Sequence, residues 1–325
     1  MTQFLEQGDV TDIYINRPGE LWVERLGQKP ERHDAPGLTD TLLWRLAKQV
    51  ASITHQGISR EHPLLSARLP DGSRIQIIAP PATRGPIAIA IRKHLIVDIS
   101  LDDYARQGAF DETRAGTTPT DGDEQLAALY EARNWTGFLR GVVRARKTIL
   151  VSGGTSTGKT TFLNALLREV KSSDRLVLIE DTPEIKIAHA NAIGLISIRG
   201  ELGEASVTSD DLLTATLRMR PDRIIVGELR GPEALTFLRA ANTGHPGSMT
   251  TIHADTPNGA FQQLAMLGAS KAHFGINNDL ISYAHTIIDV IVQLHHSRGI
   301  RGISHIYWRQ SSSYMNNNGH INTVY

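Results

Sequence analysis

The stretch GGTSTGKTT, Gly153 to Thr161, decides how this chain reads. An apolar run, Ile149-Leu150-Val151, leads into it, and Leu163, Leu166, Leu167 and Val170 follow at helical spacing. Strand, glycine-rich loop and helix are the context in which G-x-x-x-x-G-K-T cradles phosphate. The glycines let successive backbone N–H groups curl around phosphate oxygens, and the helix N-terminus adds a fixed positive potential. Lys159 can reach the β- and γ-phosphates, and the Thr160 hydroxyl can ligate Mg²⁺. The sequence therefore predicts that Gly153, Gly154, Thr155, Ser156, Thr157, Gly158, Lys159, Thr160 and Thr161 bind ATP with Mg²⁺.

Downstream, strands and helices alternate, which predicts a mostly parallel sheet. Leu176–Ile179 is a second apolar strand ending at Glu180-Asp181, and Ile224–Val226 is a third ending at Gly227-Glu228. Ser209 reads as the cap of the helix between them, and Pro232 opens a helix that stops at Gly244. Met249–Ile252 is a fourth strand running into His253, and Ile287–Leu294 with Ile303–Trp308 form a hairpin. Ligands of such sheets lie beyond the strand C-termini. Glu180 and Glu228 are thus candidates for the metal shell and the attacking water. Glu228 stands where Asp is commoner in such a strand. His245 and His253 flank the fourth strand and are candidates for sensing the γ-phosphate or polarising water. No further ligands stand at zinc-like spacing.

The N-terminal third reads as a smaller α+β domain. Asp12–Ile15 and Leu21–Val23 flank the turn Asn16-Arg17-Pro18-Gly19, and Thr39 caps a helix carrying Leu42, Leu43, Leu46, Val50 and Ile53. Two strands, Arg74–Ile78 and Ile87–Arg92, follow the turn Pro70-Asp71-Gly72. Periodicity then fades in a Thr-, Gly- and Asp-rich stretch. The expected organisation is an N-terminal domain over 1–107, a linker over 108–132 and a P-loop domain over 133–325, which the resemblance described below implies to be a RecA-like ATPase domain. The polar tail, 310–325, is expected to be disordered.

Composition bounds the alternatives. Lys+Arg and Asp+Glu both number 34 in 325 residues, so no global attraction to nucleic acid or anionic membrane follows. There is no cysteine, hence no disulfide, Fe–S cluster or thiolate-ligated metal. No apolar run approaches the ~18 residues of a membrane span. The expected location is cytoplasmic, with any membrane contact made from the surface. Arg133–Lys147 carries five basic residues, no acid, and Trp135 with Phe138. It is a candidate amphipathic helix for anionic lipid, or a helix packed on the ATPase domain.

Four segments, GGTSTGKTT, LIEDTPEI (178–185), LRMRPDRIIVGELRGPEAL (217–235) and RAANTGHPGSMTTIHA (239–254), occur in this order. Together they resemble the Walker A, Asp box, Walker B and His box of the secretion-superfamily traffic ATPases. Within that superfamily, RPDRIIVGELRG followed by NTGHPGSMTTIHA is most similar to the VirB-type ATPases of type IV secretion systems. The resemblance implies a homohexameric ring at the cytoplasmic face of the inner membrane, working with inner-membrane components. It powers pilus biogenesis or substrate transfer. It also implies that N-domain arginines approach the phosphates; Arg74 and Arg92 match those positions, with Arg218 and Arg220 a second candidate pair. Trb-type conjugation ATPases and type IV pilus motors share the boxes. A RecA-like nucleic-acid translocase and a scaffold that holds ATP without using it are the readings of other classes.

Overall fold

A computed structural model describes residues 2–93, 100–111, 113, 121–198, 204–270, 277–297 and 299–309. The tail from 310 and, within the expected linker 108–132, residues 112 and 114–120 lie outside them.

The N-terminal unit contains α1 (Thr2–Leu5), β1 (Val10–Ile15), β2 (Gly19–Arg25), β3 (Glu31–Ala35), α2 (Asp40–Ile53), β4 (Leu64–Arg68), β5 (Arg74–Ile78) and β6 (Ala88–Arg92). Its strands form one antiparallel sheet in the order β3-β2-β1-β6-β5-β4. Side chains alternate between faces. Ile13, Ile15, Leu21, Val23, Ile75, Ile77, Ile89 and Ile91 share a core with Leu43, Ala47 and Val50 of α2. Thr39 caps α2 by accepting from the Leu42 amide, as its spacing predicts. The opposite face carries Tyr14, Ile78, Ala88 and Ala90, which belong to the core of the second unit. The sequence reading misses β3 and β4. Both are edge strands, and Glu31–Ala35 has no buried residue, so it lacks the apolar alternation that marks a strand.

The second unit follows α3 (Leu101–Arg106). It contains α4 (Asp121–Glu131), α5 (Trp135–Arg144), β7 (Ile149–Ser152), α6 (Lys159–Leu167), β8 (Leu176–Glu180), β9 (Ala192–Ile196), α7 (Ser209–Thr216), β10 (Arg223–Val226), α8 (Glu233–Asn242), β11 (Met249–Ile252), α9 (Pro257–Ala269), α10 (Asn277–Ile287), β12 (Val290–Ser297) and β13 (Ile300–Trp308). The sheet runs β13-β12-β7-β11-β10-β8-β9, with every pair parallel except β12 with β13. The fold is α/β, a RecA-like domain behind a smaller α+β one.

Two local expectations change, and of the two readings of the basic segment the packed helix is the one found. Residues 121–131, read as the end of a linker, are helix α4, whose Leu126 is buried in one cluster with Phe138 and Val142 of α5. The cap of α7 is Thr208 and not Ser209. Thr208 accepts from the Asp211 amide, and Asp211 answers in a capping box. The basic segment is α5, and its apolar side is spent. Phe138, Leu139, Val142 and Val143 are buried, Trp135 packs edge-on against Tyr130, and Arg140 and Arg144 pair with Glu169 at 3.0 and 3.5 Å. That stripe lies inside the core, and of the apolar side chains of α5 only Trp135 is exposed, at 39%.

The two units are joined by a buried polar seam. Arg175, 1% exposed, lies 4.0 Å over the Tyr14 ring and donates to Asn16 Oδ1, Asn191 Oδ1 and the Met219 carbonyl. Burial holds its pKa down at about 10. Arg220 reaches Glu24 at 3.3 Å and so belongs to this seam, at the N-terminal end of β10. The exposed Arg218 precedes the same strand end. The loop between β5 and β6 lies along the edge strand β9: the Ile196 amide donates to Ala82, and the Arg84 amide to Gly194.

Candidate functional site

The C-terminal ends of β8, β10 and β11 and the loop after β7 line one cleft, of about 450 Å³ and within the range of small-molecule sites. The loop from β7 to α6 floors it. Ser156 and Gly158 take positive φ, 61° and 93°, which curls the loop back on itself. At Gly158 this backbone favours a residue without Cβ. Among the described residues, the amides of Ser156, Thr157 and Gly158 have no acceptor. Their residues line the cleft at the start of α6, where an anion cradle would lie.

Lys159, its side chain 10% exposed, donates to the carbonyls of Gly153 and Gly154 at 2.9 and 3.1 Å. It also meets His253 Nδ1 at 3.2 Å and stands 3.9 Å from Glu228 Oε1. Burial lowers the Lys159 pKa, while the Glu228 charge opposes that and the Arg230 charge adds to it. His253 Nε2 is 2.6 Å from Glu228 Oε1, though that oxygen, buried, has no well-directed hydrogen bond. The structure thus brings together Lys159 at the start of α6, Glu228 beyond β10 and His253 beyond β11, residues far apart in sequence.

Arg230 also lines the cleft. It pairs with Glu228 and stands 3.6 Å from Asp181. The sequence reading did not single it out, although it sits two residues beyond Glu228 in the quoted Walker B segment. Arg301 of β13 also lines the cleft, its Cδ 3.7 Å from where a Cβ at Gly158 would stand.

Thr160 Oγ1 donates to Glu184 Oε2 at 2.9 Å. The acid nearest the Walker A hydroxyl is therefore Glu184 and not Glu180, which sequence reading assigned to the metal shell. Glu180 is 4% exposed and committed elsewhere: its Oε1 accepts from the Glu184 and Ile185 amides, both at 2.9 Å, and its Oε2 pairs with Arg84. The signal for Glu184 was present in LIEDTPEI, which holds three acids; a strand-end rule selects the first two, and only the turn decides which one swings over α6.

Two other expectations separate from the cleft. His245 is buried, 8% exposed, with Nδ1 3.0 Å from the Pro221 carbonyl, and burial lowers its pKa. It precedes β11, and four strand residues span roughly 13 Å, so the two histidines stand at opposite ends of the sheet. Arg74 and Arg92 pair directly across β5 and β6, exposed, on the face that carries Tyr14 and Ala90. Neither lines the cleft of its own chain. Arg92 is 4.0 Å from Asp12.

A glycine-rich loop at the C-terminal edge of a mostly parallel sheet, facing acids on neighbouring strands, is the construction of a RecA-like P-loop ATPase. Residues 124–298 match the family described as "Type II/IV secretion system protein". The chain is 35% identical over 323 residues to the type IV secretion system protein VirB11 of Bartonella quintana, covering 95% of this chain and 90% of that one. Its identity to VirB11 of Brucella suis is 37% over 318 residues, covering 94% and 87%. The solved structure of the Brucella suis VirB11 ATPase in complex with sulphate matches with a TM-score of 0.87 at 35% identity, covering 94% of each chain. The type IV secretion system protein PtlH of Bordetella pertussis is 35% identical over 307 residues, covering 91% and 88%. The chain belongs to the VirB11 family of type IV secretion ATPases.

Proposed function

We propose that this protein is an ATP-hydrolysing motor of a type IV secretion system, working as a homohexameric ring at the cytoplasmic face of the inner membrane. The observation that carries the reading is the cluster of Lys159, Glu228 and His253 at the mouth of the phosphate cradle. Lys159 neutralises charge on the β- and γ-phosphates. Glu228, at hydrogen-bonding distance from His253, orients the attacking water or takes its proton. His253, bridging Lys159 and Glu228, reports the γ-phosphate to the sheet.

The residues fit Mg²⁺. The Thr160 hydroxyl retains lone pairs, Glu184 stands against it, and the buried Glu228 Oε1 has no well-directed partner. Thr160 and Glu184 would hold the ion, with Glu228 close by. When bound, Mg²⁺ neutralises charge on the phosphate oxygens. Gly153–Thr161 hold ATP.

Arg74 and Arg92 are assigned to the nucleotide of an adjacent subunit, because both are exposed and neither lines its own cleft. The work stroke is then relative movement of two units, 1–107 and 133–325, about a connection narrowed by the docking of α4 to the residues before 121. The partners expected of such a ring are inner-membrane components of the secretion system. No described helix is long and apolar enough to cross a membrane.

The test is ATP turnover per chain against protein concentration, for wild type and Lys159→Ala. Specific activity that climbs with concentration and vanishes in the variant supports a site completed by assembly. Turnover independent of concentration, from a protein monomeric throughout, would sink the ring motor.

A further inference from the structure

The ion pair between Arg84 and Glu180 crosses the junction of the two units. Arg84 comes from the N-terminal loop between β5 and β6, and Glu180 ends β8 beside the nucleotide cleft. The loop is fixed before its side chain is considered. It pairs onto β9 through Ile196 to Ala82 and Arg84 to Gly194, both 2.9 Å, with Thr83 opposite Leu195 in antiparallel register. The edge of the ATPase unit's sheet is thus met by a single antiparallel bridge from the N-terminal unit. The Arg84 guanidinium then donates to the Ile185 carbonyl at 2.7 Å and pairs with Glu180.

Two glycines shape the trench in which this pair lies. A Cβ at Gly194 would stand 2.5 Å from Arg84 Cδ, and one at Gly227 would stand 2.9 Å from Glu180 Cγ. A non-bonded Cβ contact under 3.0 Å is essentially never found, so the pair occupies room that larger residues at 194 and 227 would fill. Both side chains are largely enclosed, 16% and 3% exposed. A carboxylate so placed depends on its partner for position as well as energy.

The chain of contacts continues to the phosphate loop. Glu180 Oε1 accepts from the Glu184 and Ile185 amides, which sets the turn that carries the Glu184 side chain. That side chain accepts from Thr160 Oγ1. One turn further along α6, Asn164 Oδ1 accepts from the Lys186 amide and fixes the far side of the same segment.

We infer that Arg84 is a positioning residue for the nucleotide site of its own chain: from the N-terminal unit it orients Glu180, through Glu180 the 184–185 turn, and through Glu184 the hydroxyl of Thr160. The consequence is a direct route by which docking of the N-terminal unit sets the geometry of the Walker A hydroxyl. This is separate from any arginine that touches phosphate. It rests on the reading of the cleft as an ATP and Mg²⁺ site.

The test uses the full chain with Arg84→Met, Arg84→Lys and, independently, Gly194→Ala, whose new methyl group displaces the Arg84 side chain without removing its charge. The first measurement is hydrogen–deuterium exchange without nucleotide. Arg84→Met is expected to accelerate exchange of the 184–185 amides by about tenfold or more, with β7 and α2 unchanged. Gly194→Ala reproduces this, and Arg84→Lys recovers part of the protection. The second is the Mg²⁺ concentration for half-maximal turnover at fixed saturating ATP, expected to rise several-fold in Arg84→Met with little change in nucleotide affinity. Unchanged exchange at 184–185 in folded Arg84→Met overturns the inference. If Arg84→Met does not fold, Gly194→Ala and Arg84→Lys decide by the same readouts. A wild type that hydrolyses no ATP would refute the ATPase reading and leave the exchange result to judge the positioning role alone.

Discussion

Replacing Glu228 by Gln keeps the shape of the side chain and removes its charge. Two consequences of opposite sign follow from its place beside Lys159 and His253. Loss of a general base or water-orienting carboxylate lowers turnover by about 10²- to 10⁴-fold. Binding moves the other way. Glu228 Oε1 lies 3.9 Å from Lys159 Nζ, and a pair at that separation attracts by about 4 kcal/mol at an effective dielectric constant of about 20. Phosphate must compete with that carboxylate for the ammonium. Relief of even a quarter of the attraction, about 1 kcal/mol, tightens ATP roughly fivefold. There is also a pH signature. Burial lowers the Lys159 pKa and Glu228 holds it up. In the Gln variant burial acts with less opposition, so the pKa falls further. Nucleotide affinity, which needs the charged lysine, is then lost on the alkaline side at lower pH than in wild type. The assays are phosphate release at saturating ATP and titration with a fluorescent nucleotide across pH. Wild-type turnover in Glu228→Gln refutes the water-activating role. Weaker binding with intact fold shows instead that Glu228 supports the nucleotide through the metal.

Other consequences can be checked directly. Arg223 is fully buried, with Asp174 at 2.8 Å and the Val143 and Gly247 carbonyls as acceptors. Arg223→Ala leaves the buried Asp174 carboxylate with Arg146 alone, at 2.8 Å, and removes one charged hydrogen bond; it should cost about 1.5–3 kcal/mol, read from urea denaturation, and a loss below about 0.5 kcal/mol would contradict that account. Arg140→Glu combined with Arg144→Glu should leave the affinity for anionic vesicles unchanged, because both arginines already face Glu169 and the apolar side of α5 lies in the core. A clear fall in vesicle sedimentation would restore α5 as a lipid-binding face.

The sequence by itself determined the phosphate loop, the order of the parallel strands' apolar runs and the residues at their ends. Those features are local. A glycine-rich loop must curl, an apolar run of four must be buried, and a strand-end acid must stand at the sheet's edge, whatever surrounds them. Lys159, Thr160, Glu228 and His253 were legible for that reason. Tertiary structure alone decided which neighbours those residues meet. His245 and His253 carry the same chemistry in sequence, yet strand direction sends one to the cleft and the other to the Pro221 carbonyl. Glu180 and Glu184 are four residues apart, and the turn between them gives the first to Arg84 and two amides and the second to Thr160. Arg74 and Arg92 lie on the expected strands, but the sheet's register carries them away from their own cleft. Arg84, with no motif around it, reaches Glu180 because a loop from the first unit pairs with an edge strand of the second. Long-range pairing has no local signature, since the energy that selects it arises only when both partners are already folded.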